Sequence, residues 1–259
     1  VINGILFRDR TGVPWRDLPA RFGPWKTVYE RHRRWSADGT WDKILAAILA
    51  DADADGRIDW SMVSVDSTSC RAHQHAAGAR KAAASAGKRP TPLQHRPDEG
   101  LGRSRGGLTC KIHLAGEGGR RPLAFLLTPG QWGDAPQLIP VLERVRVARQ
   151  EGGRPRTRPD HLGGDKAYSS RRNRHYLRRR QIKHTIPEPK DQRANRKRRG
   201  SQGGRPTGFD KTIYKRRNEV ERTINALKNS RAVATRYDKR AYIFHGTVTV
   251  AAIRLWLRP

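Results

Sequence analysis

The chain has 259 residues, 54 Lys and Arg against 24 Asp and Glu, a formal net charge of +30 and 35% hydrophobic residues. That charge points to a polyanionic partner, nucleic acid first, although a ribosomal or nucleoid protein would share it. No run approaches the ~20 apolar residues of a membrane span, no signal peptide is visible, and two cysteines without CxxC spacing exclude a disulfide or zinc framework.

The first 50 residues read as helices. "VINGILFRDR" is apolar on one side, and its start at Val1 rather than Met suggests an N-terminal truncation. "TGVPWRDLPARFGPW" carries turn residues, "KTVYERHRRWSADG" is a basic amphipathic helix, and "TWDKILAAILADA" is a further helix with Thr40 as its expected N-cap. Residues 1–55 are compatible with a helix-turn-helix-like DNA-binding region; a small packed helical unit without DNA contact fits equally. On residues 24–35, Arg31, Arg33 and Arg34 would meet phosphates or guanine edges while Val28, Tyr29 and Trp35 pack inward. "DADADGRID" resembles part of a calcium loop but lacks the closing glutamate, so it reads as an acidic linker.

From residue 59 the pattern changes. "DWSMVSVDST" predicts a strand ending at Asp66, and residues 69–106 predict a long basic loop, with His73 and His75 facing solvent or phosphate. "GLTCKIHLAG" and "RPLAFLLTPG" predict two strands joined by a Gly-rich turn. "DAPQLIPVLERVRVARQ" predicts a helix capped by Asp134. A short strand ending near Asp165, a basic helix over 170–181, a strand in "IKHTIPE" and a basic Gly-rich loop over 188–211 follow. The helix "YKRRNEVERTINALKN" and an apolar helical end, "GTVTVAAIRLWLR", complete the chain. Three strands followed by alternating helices and strands predict an α/β domain with a mixed sheet over 59–259.

Ligands gather at the carboxyl ends of strands in such sheets, and Asp66 and Asp165 are expected there. Strand-end acids are also common turn-formers. The helix adds a third carboxylate. At about 100° per residue, Tyr214, Arg217, Glu221 and Lys228 fall within roughly 60° of one another, whereas Glu219 points nearly the opposite way. The plainer reading is a solvated face of weak ion pairs, but Arg217 four residues before Glu221 is the weaker order for one. Three carboxylates held close repel unless a cation neutralises them. An all-oxygen set favours Mg²⁺, with Mn²⁺ as substitute, and two such ions about 3.5–4 Å apart suit phosphodiester chemistry.

Tyr214-x2-Arg217-x3-Glu221-x6-Lys228 resembles the Y-x2-R-x3-E-x6-K signature of DDE transposases from bacterial insertion sequences. The blocks "TGVPWRDLPARFGPWKTVYERHRRWSADGTW", "VDSTSCRAHQHAAGAR", "LGRSRGGLTCKIHLA", "PLAFLLTPGQWGDAPQ", "DKAYSS", "IPEPKDQRANRKRRGS" and "ATRYDK" are similar to those of the insertion-sequence-five (and four-like) group and cover nearly the whole chain. The resemblance implies a ribonuclease-H-like five-stranded mixed sheet flanked by helices, with Asp66, Asp165 and Glu221 as catalytic metal ligands. It implies DNA contacts at Tyr214, Arg217, Lys228 and Lys166. It further implies metal-dependent cleavage of element ends and strand transfer into target, by a homodimer or higher oligomer on double-stranded DNA, in the bacterial cytoplasm at the nucleoid. The rival readings are a ribonuclease-H-like nuclease without strand transfer and a DNA-binding remnant.

Overall fold

The computed structural model describes residues 1–78 and 99–258. The chain opens with α1 (Ile2–Thr11), two 3-10 turns at Trp15–Asp17 and Ala20–Phe22, α2 (Trp25–Ala37) and α3 (Thr40–Ala54). Next come β1 (Val63–Ala72), β2 (Gly102–Ser104), β3 (Gly107–Glu117), β4 (Pro122–Pro129), α4 (Leu138–Glu143), β5 (His161–Gly164), α5 (Arg171–Arg179) and β6 (Lys183–Thr185). The chain ends with α6 (Lys190–Arg198), α7 (Lys211–Lys215), α8 (Asn218–Lys228), α9 (Arg231–Ala234), β7 (Thr235–Arg236) and α10 (Ala241–Trp256).

Strand pairing gives the expected topology. β1 lies antiparallel to β3, from Val63 opposite Glu117 to Arg71 opposite Thr109, and β4 is antiparallel to β3. β5 runs parallel to β1 and β6 parallel to β5. Five strands therefore lie in the order β4–β3–β1–β5–β6, the ribonuclease-H-like mixed sheet. Two short strands enlarge it to seven: β2 pairs with the start of β3, and β7 with the end of β1. Gly163 sits in β5 where a larger residue suits a strand. A Cβ there would stand 2.5 Å from Met62 Cε and 2.7 Å from Ser64 Oγ, so a larger residue would have to displace the ends of both side chains.

Several local expectations need correction. The first strand does not end at Asp66 but runs to Ala72, because β3 goes on pairing with it. Residues 69–106 are thus not one loop: a 3-10 turn at Gln74–Ala76 and β2 interrupt it, and 79–98 lie outside the described residues. Residues 188–211 contain α6, a helix with no buried residue. Thr40 does not cap α3: Gly39 holds the cap position at φ 74°, and Asp38 accepts from both the N–H and the hydroxyl of Thr40. The acidic segment is partly helical, since α3 continues to Ala54. Asp134 makes no capping bond, and Leu138–Glu143 is a short helix after a 3-10 turn. The helix expected over 214–229 breaks at Arg216 and Arg217. There, tight i to i−3 bonds (Arg216 N–H to Ile213, Arg217 N–H to Tyr214) join α7 to α8.

The N-terminal helices rest on α10. That helix buries residues on every side, including Phe244, Val248, Val250, Ala252 and Trp256, the mark of a central core helix. α2 turns Val28, His32 and Ser36 inward, and His32 Nε2 lies 3.3 Å from Thr247 Oγ1 on α10. Arg8 of α1 donates to Asp238 at 3.2 Å, both side chains almost wholly buried. One hydrophobic core accordingly runs from Ile5 to Trp256.

Candidate active site

The sheet register sets the first two acids. Ser64 pairs with Gly116 on β3 and with Gly163 on β5. Side chains alternate along a strand, so Asp66 shares the Ser64 face. Asp165 directly follows β5, two residues beyond Gly163 on that same face. α8 covers it: Thr223 Oγ1 and Val220 lie 3.2 and 3.5 Å from where a Cβ on Gly116 would stand. Burial of Val220, Thr223, Ile224 and Leu227 fixes the roll of α8. That roll leaves Glu221 at the edge of the buried stripe and Glu219 on another side, bonded to Arg216 at 3.0 Å. Arg216 also holds Asp59 at 2.8 Å, so Glu219 belongs to a partly buried ion-pair network of its own.

Each acid has defined partners. Asp66 Oδ1 accepts from the Ser67 N–H at 2.8 Å, and its Oδ2 lies 3.8 Å from Arg217 Nη1. Asp165 accepts from the Ala167 N–H at 2.8 Å, capping the turn Lys166–Tyr168. Glu221 accepts from Arg217 Nη2 at 2.5 Å. Burial, and then the neighbouring charges of Asp165 and Glu221, push the Asp66 carboxyl above the usual carboxylate range against the opposing Ser67 N–H and Arg217. Asp165 and Glu221 therefore both bear on Asp66. As the side chains stand, no three His, Cys, Asp or Glu groups among the described residues enclose one ion. The donor chemistry nonetheless fits a hard divalent cation: all oxygen, and mutually repelling until neutralised.

A stability consequence follows. With its folded-state value raised, Asp66 takes up a proton more readily in the folded chain. The metal-free protein gains stability as pH falls through that range and loses it above. Asp66→Asn is expected to raise the neutral-pH melting temperature of the metal-free protein and to flatten that pH dependence. Parallel thermal melts in chelator check it; a variant less stable than the parent at neutral pH contradicts it.

A fourth carboxylate, read from sequence only as a helix cap, lies on the opposite sheet face. Asp134 accepts from Ser67 Oγ at 2.8 Å and Lys111 Nζ at 2.9 Å. Its neighbour His113 is pushed down to about 4 by burial, so that imidazole is neutral at pH 7 and the 3.7 Å approach is no ion pair. Tyr168 is buried nearby, its phenol raised well above its usual range by burial and by Asp134, Asp66 and Asp165. Ser67 thus links Asp66, through its N–H, to Asp134, through its hydroxyl. The signal was strand alternation, visible only once the strand is extended past Asp66.

The expected DNA contacts divide into two groups. Arg217 joins Asp66 and Glu221, and its guanidinium stands 5.7 Å from the Tyr214 ring centroid. Tyr214 also packs on Phe209 at 5.1 Å. Lys228 donates to the Ser69 carbonyl of β1 at 3.1 Å, and Lys166 is exposed beside Asp165. Arg31, Arg33 and Arg34 form a second group, exposed on α2, which packs chiefly on α10, α1 and α3. Arg33 is paired with Glu30 at 2.8 Å, and Arg31 lies over Trp35. Val28 is buried, as expected, while Tyr29 and Trp35 are half-buried. His73 stacks on Tyr237 at 4.3 Å rather than standing free.

A ribonuclease-H-like sheet with acids on β1 and after β5, faced by a glutamate-bearing helix, defines a DDE-type protein. Residues 61–256 match the transposase DDE domain family and residues 1–45 match a putative transposase of the IS4/5 family. The chain belongs to the transposase DDE domain family of insertion sequences. It is 44% identical over 81 residues to the uncharacterized protein y4sN of Sinorhizobium fredii, covering 31% of this chain and 60% of that one. It is 31% identical over 136 residues to the putative transposase for insertion sequence element IS402 of Burkholderia cepacia, covering 52% of this chain and 56% of that one. It is 28% identical over 151 residues to the putative transposase for IS6501 of Brucella ovis, covering 58% of this chain and all of that one. The chain thus spans 60% and 56% of the length of the first two of these relatives. The Mos1 transposase paired-end complex aligns over 98% of this chain and 76% of its own at 12% identity, with a TM-score of only 0.28. Among the described residues, no helix is long and apolar enough to cross a membrane.

Proposed function

We propose that the chain catalyses metal-dependent cleavage at the ends of an insertion sequence and transfer of the freed strand into target DNA. The observation that supports this reading is geometric: one guanidinium, Arg217, spans Asp66 on β1 and Glu221 on α8, and Asp165 follows β5 on the Asp66 face of the sheet. Asp66, Asp165 and Glu221 would hold two Mg²⁺ ions, or Mn²⁺ in their place. When bound, these supply activation of the attacking hydroxyl and stabilisation of the leaving oxygen. Arg217, with Tyr214, Lys228 and Lys166, would position the flanking phosphates, the main demand of in-line phosphoryl transfer. Residues 1–55 would serve as the end-reading unit, seated on α10 and presenting Arg31, Arg33 and Arg34. Binding as a homodimer or higher oligomer, at the bacterial nucleoid, belongs to the same proposal.

The test is incubation of the full chain with a labelled element-end duplex, Mg²⁺ and plasmid target. Nicked and joined products are expected. Nicking without joining supports the nuclease reading, and binding without nicking the remnant reading.

The Arg217 contact yields a second expectation. Arg217→Ala is expected to weaken end-DNA binding in Mg²⁺ and to lower the slope of log affinity against log salt by about one phosphate's worth, ~0.9. Titration at several salt concentrations measures it, and an unchanged slope means that Arg217 only orients Glu221.

A further inference from the structure

Arg217 sits at the tight turn that joins α7 to α8, its backbone still right-handed helical. From there one guanidinium reaches two carboxylates, with Nη2 on Glu221 at 2.5 Å and Nη1 3.8 Å from Asp66. The Tyr214 ring lies on its other side. Helix spacing accounts for the Glu221 contact, in the less favourable order, but it does not account for the reach to Asp66 on β1. The charge balance does: one guanidinium spans both carboxylates, and among the described residues Arg217 is the only cation in an ion pair with Asp66 or Glu221. A guanidinium cannot shed its charge. If a divalent ion takes over Asp66 and Glu221, Arg217 loses both partners and is repelled. Its side chain is 22% exposed, so a phosphate can reach it from solvent.

We propose that Arg217 is a counter-ion switch. In the metal-free chain it neutralises Asp66 and Glu221, and metal loading hands it to a DNA phosphate, so that metal and DNA bind with positive coupling through this residue. The proposal rests on the reading of Asp66, Asp165 and Glu221 as the metal site. Coupling of this kind is reciprocal. Loss of Arg217 should therefore strengthen metal binding to the free protein while uncoupling it from DNA.

The experiment uses the full chain. Mn²⁺ affinity without DNA is read by electron paramagnetic resonance. Affinity for an element-end duplex is read with and without saturating Ca²⁺, a non-catalytic probe, at constant ionic strength. For the parent chain, Ca²⁺ is expected to raise duplex affinity about tenfold. Arg217→Gln should bind Mn²⁺ several-fold more tightly and show less than a twofold Ca²⁺ effect on duplex binding. Lys215→Gln removes the same charge from exposed Lys215 of α7 and should keep the parent coupling. Arg217→Met, of similar length, serves if melts show the Gln variant unfolded. Equal coupling in the parent and Arg217→Gln, or Mn²⁺ affinity unchanged by the substitution, overturns the switch alone. Mn²⁺ binding undiminished in the double variant Asp66→Asn with Glu221→Gln overturns the metal-site reading and the switch together.

Discussion

Glu221→Gln is expected to lower end cleavage by at least ~10²–10³-fold, the scale for removing one charged group that acts on the reacting phosphoryl, while leaving duplex affinity within a factor of a few. Gln keeps the shape of Glu221 and its half-exposed place on α8 but loses the charge that a divalent cation requires. Glu219→Gln, two residues away, is expected to change cleavage little. Its carboxylate is engaged with Arg216, which in turn holds Asp59, so its loss weakens an ion-pair network away from the three acids. The pair is a strict comparison because composition, helix and charge change are the same. Gel-based cleavage and filter-binding assays on both variants decide it. Equal losses would falsify the assignment of the two faces of α8.

Severing the ion pair between Arg8 and Asp238 is expected to destabilise the chain by about 3–5 kcal/mol, the usual cost of leaving one buried charge alone. Both side chains are almost wholly buried, at 2% and 3% exposure. Thr247 Oγ1 also donates to Asp238, at 2.9 Å. Burial alone would raise the Asp238 carboxyl, but Arg8 and then His32, Thr247 and Arg236 hold it below the usual carboxylate range. Its contribution is therefore complete above the ordinary carboxylate value and is lost as pH falls through the lowered one. Arg8→Ala and Asp238→Ala should each unfold at markedly lower denaturant. The double substitution Arg8→Met with Asp238→Leu should cost much less than either single change, since it leaves no orphaned charge. Denaturant titrations measure all three. A double variant as unstable as the sum of the singles contradicts the pairing. The same contact means that residues 1–55 cut from the chain expose Arg8 and the α2 face that α10 covers, so end reading is best tested in the whole protein.

The strands that carry the two aspartates were legible because "SMVSVD" and "DHLGGD" set apolar or small residues before an acid. The face of Glu221 was legible because a helical period of 3.6 separates it from Glu219 by about 200°. The extension of β1 past Asp66 was not. Ser67, Thr68 and Ser69 supply no apolar alternation, and only Cys70, buried opposite Cys110, faces the core. β3 imposes that extension through pairing, which no local pattern records. α6 was missed for the complementary reason: with no buried residue it has no apolar period to read. Asp134 was assigned the local job that its position before a helical pattern suggested, whereas its partners Ser67 and Lys111 come from two strands. The break at Arg216 and Arg217 left the stripe of Glu221 intact, because Arg217 still meets Glu221 from the last turn-like step before α8. The burial of α2 was visible as amphipathicity, but its partner, α10, lies some 200 residues away in sequence and only the fold identifies it.

The central claim is that Asp66, Asp165 and Glu221 hold divalent metal together. Anomalous diffraction from crystals of the full chain grown with Mn²⁺ tests it without relying on activity. The account predicts Mn²⁺ density bonded to carboxylate oxygens of all three residues. Mn²⁺ bound elsewhere, or any two of these carboxyl groups more than about 10 Å apart when two ions span only about 4 Å, would contradict it.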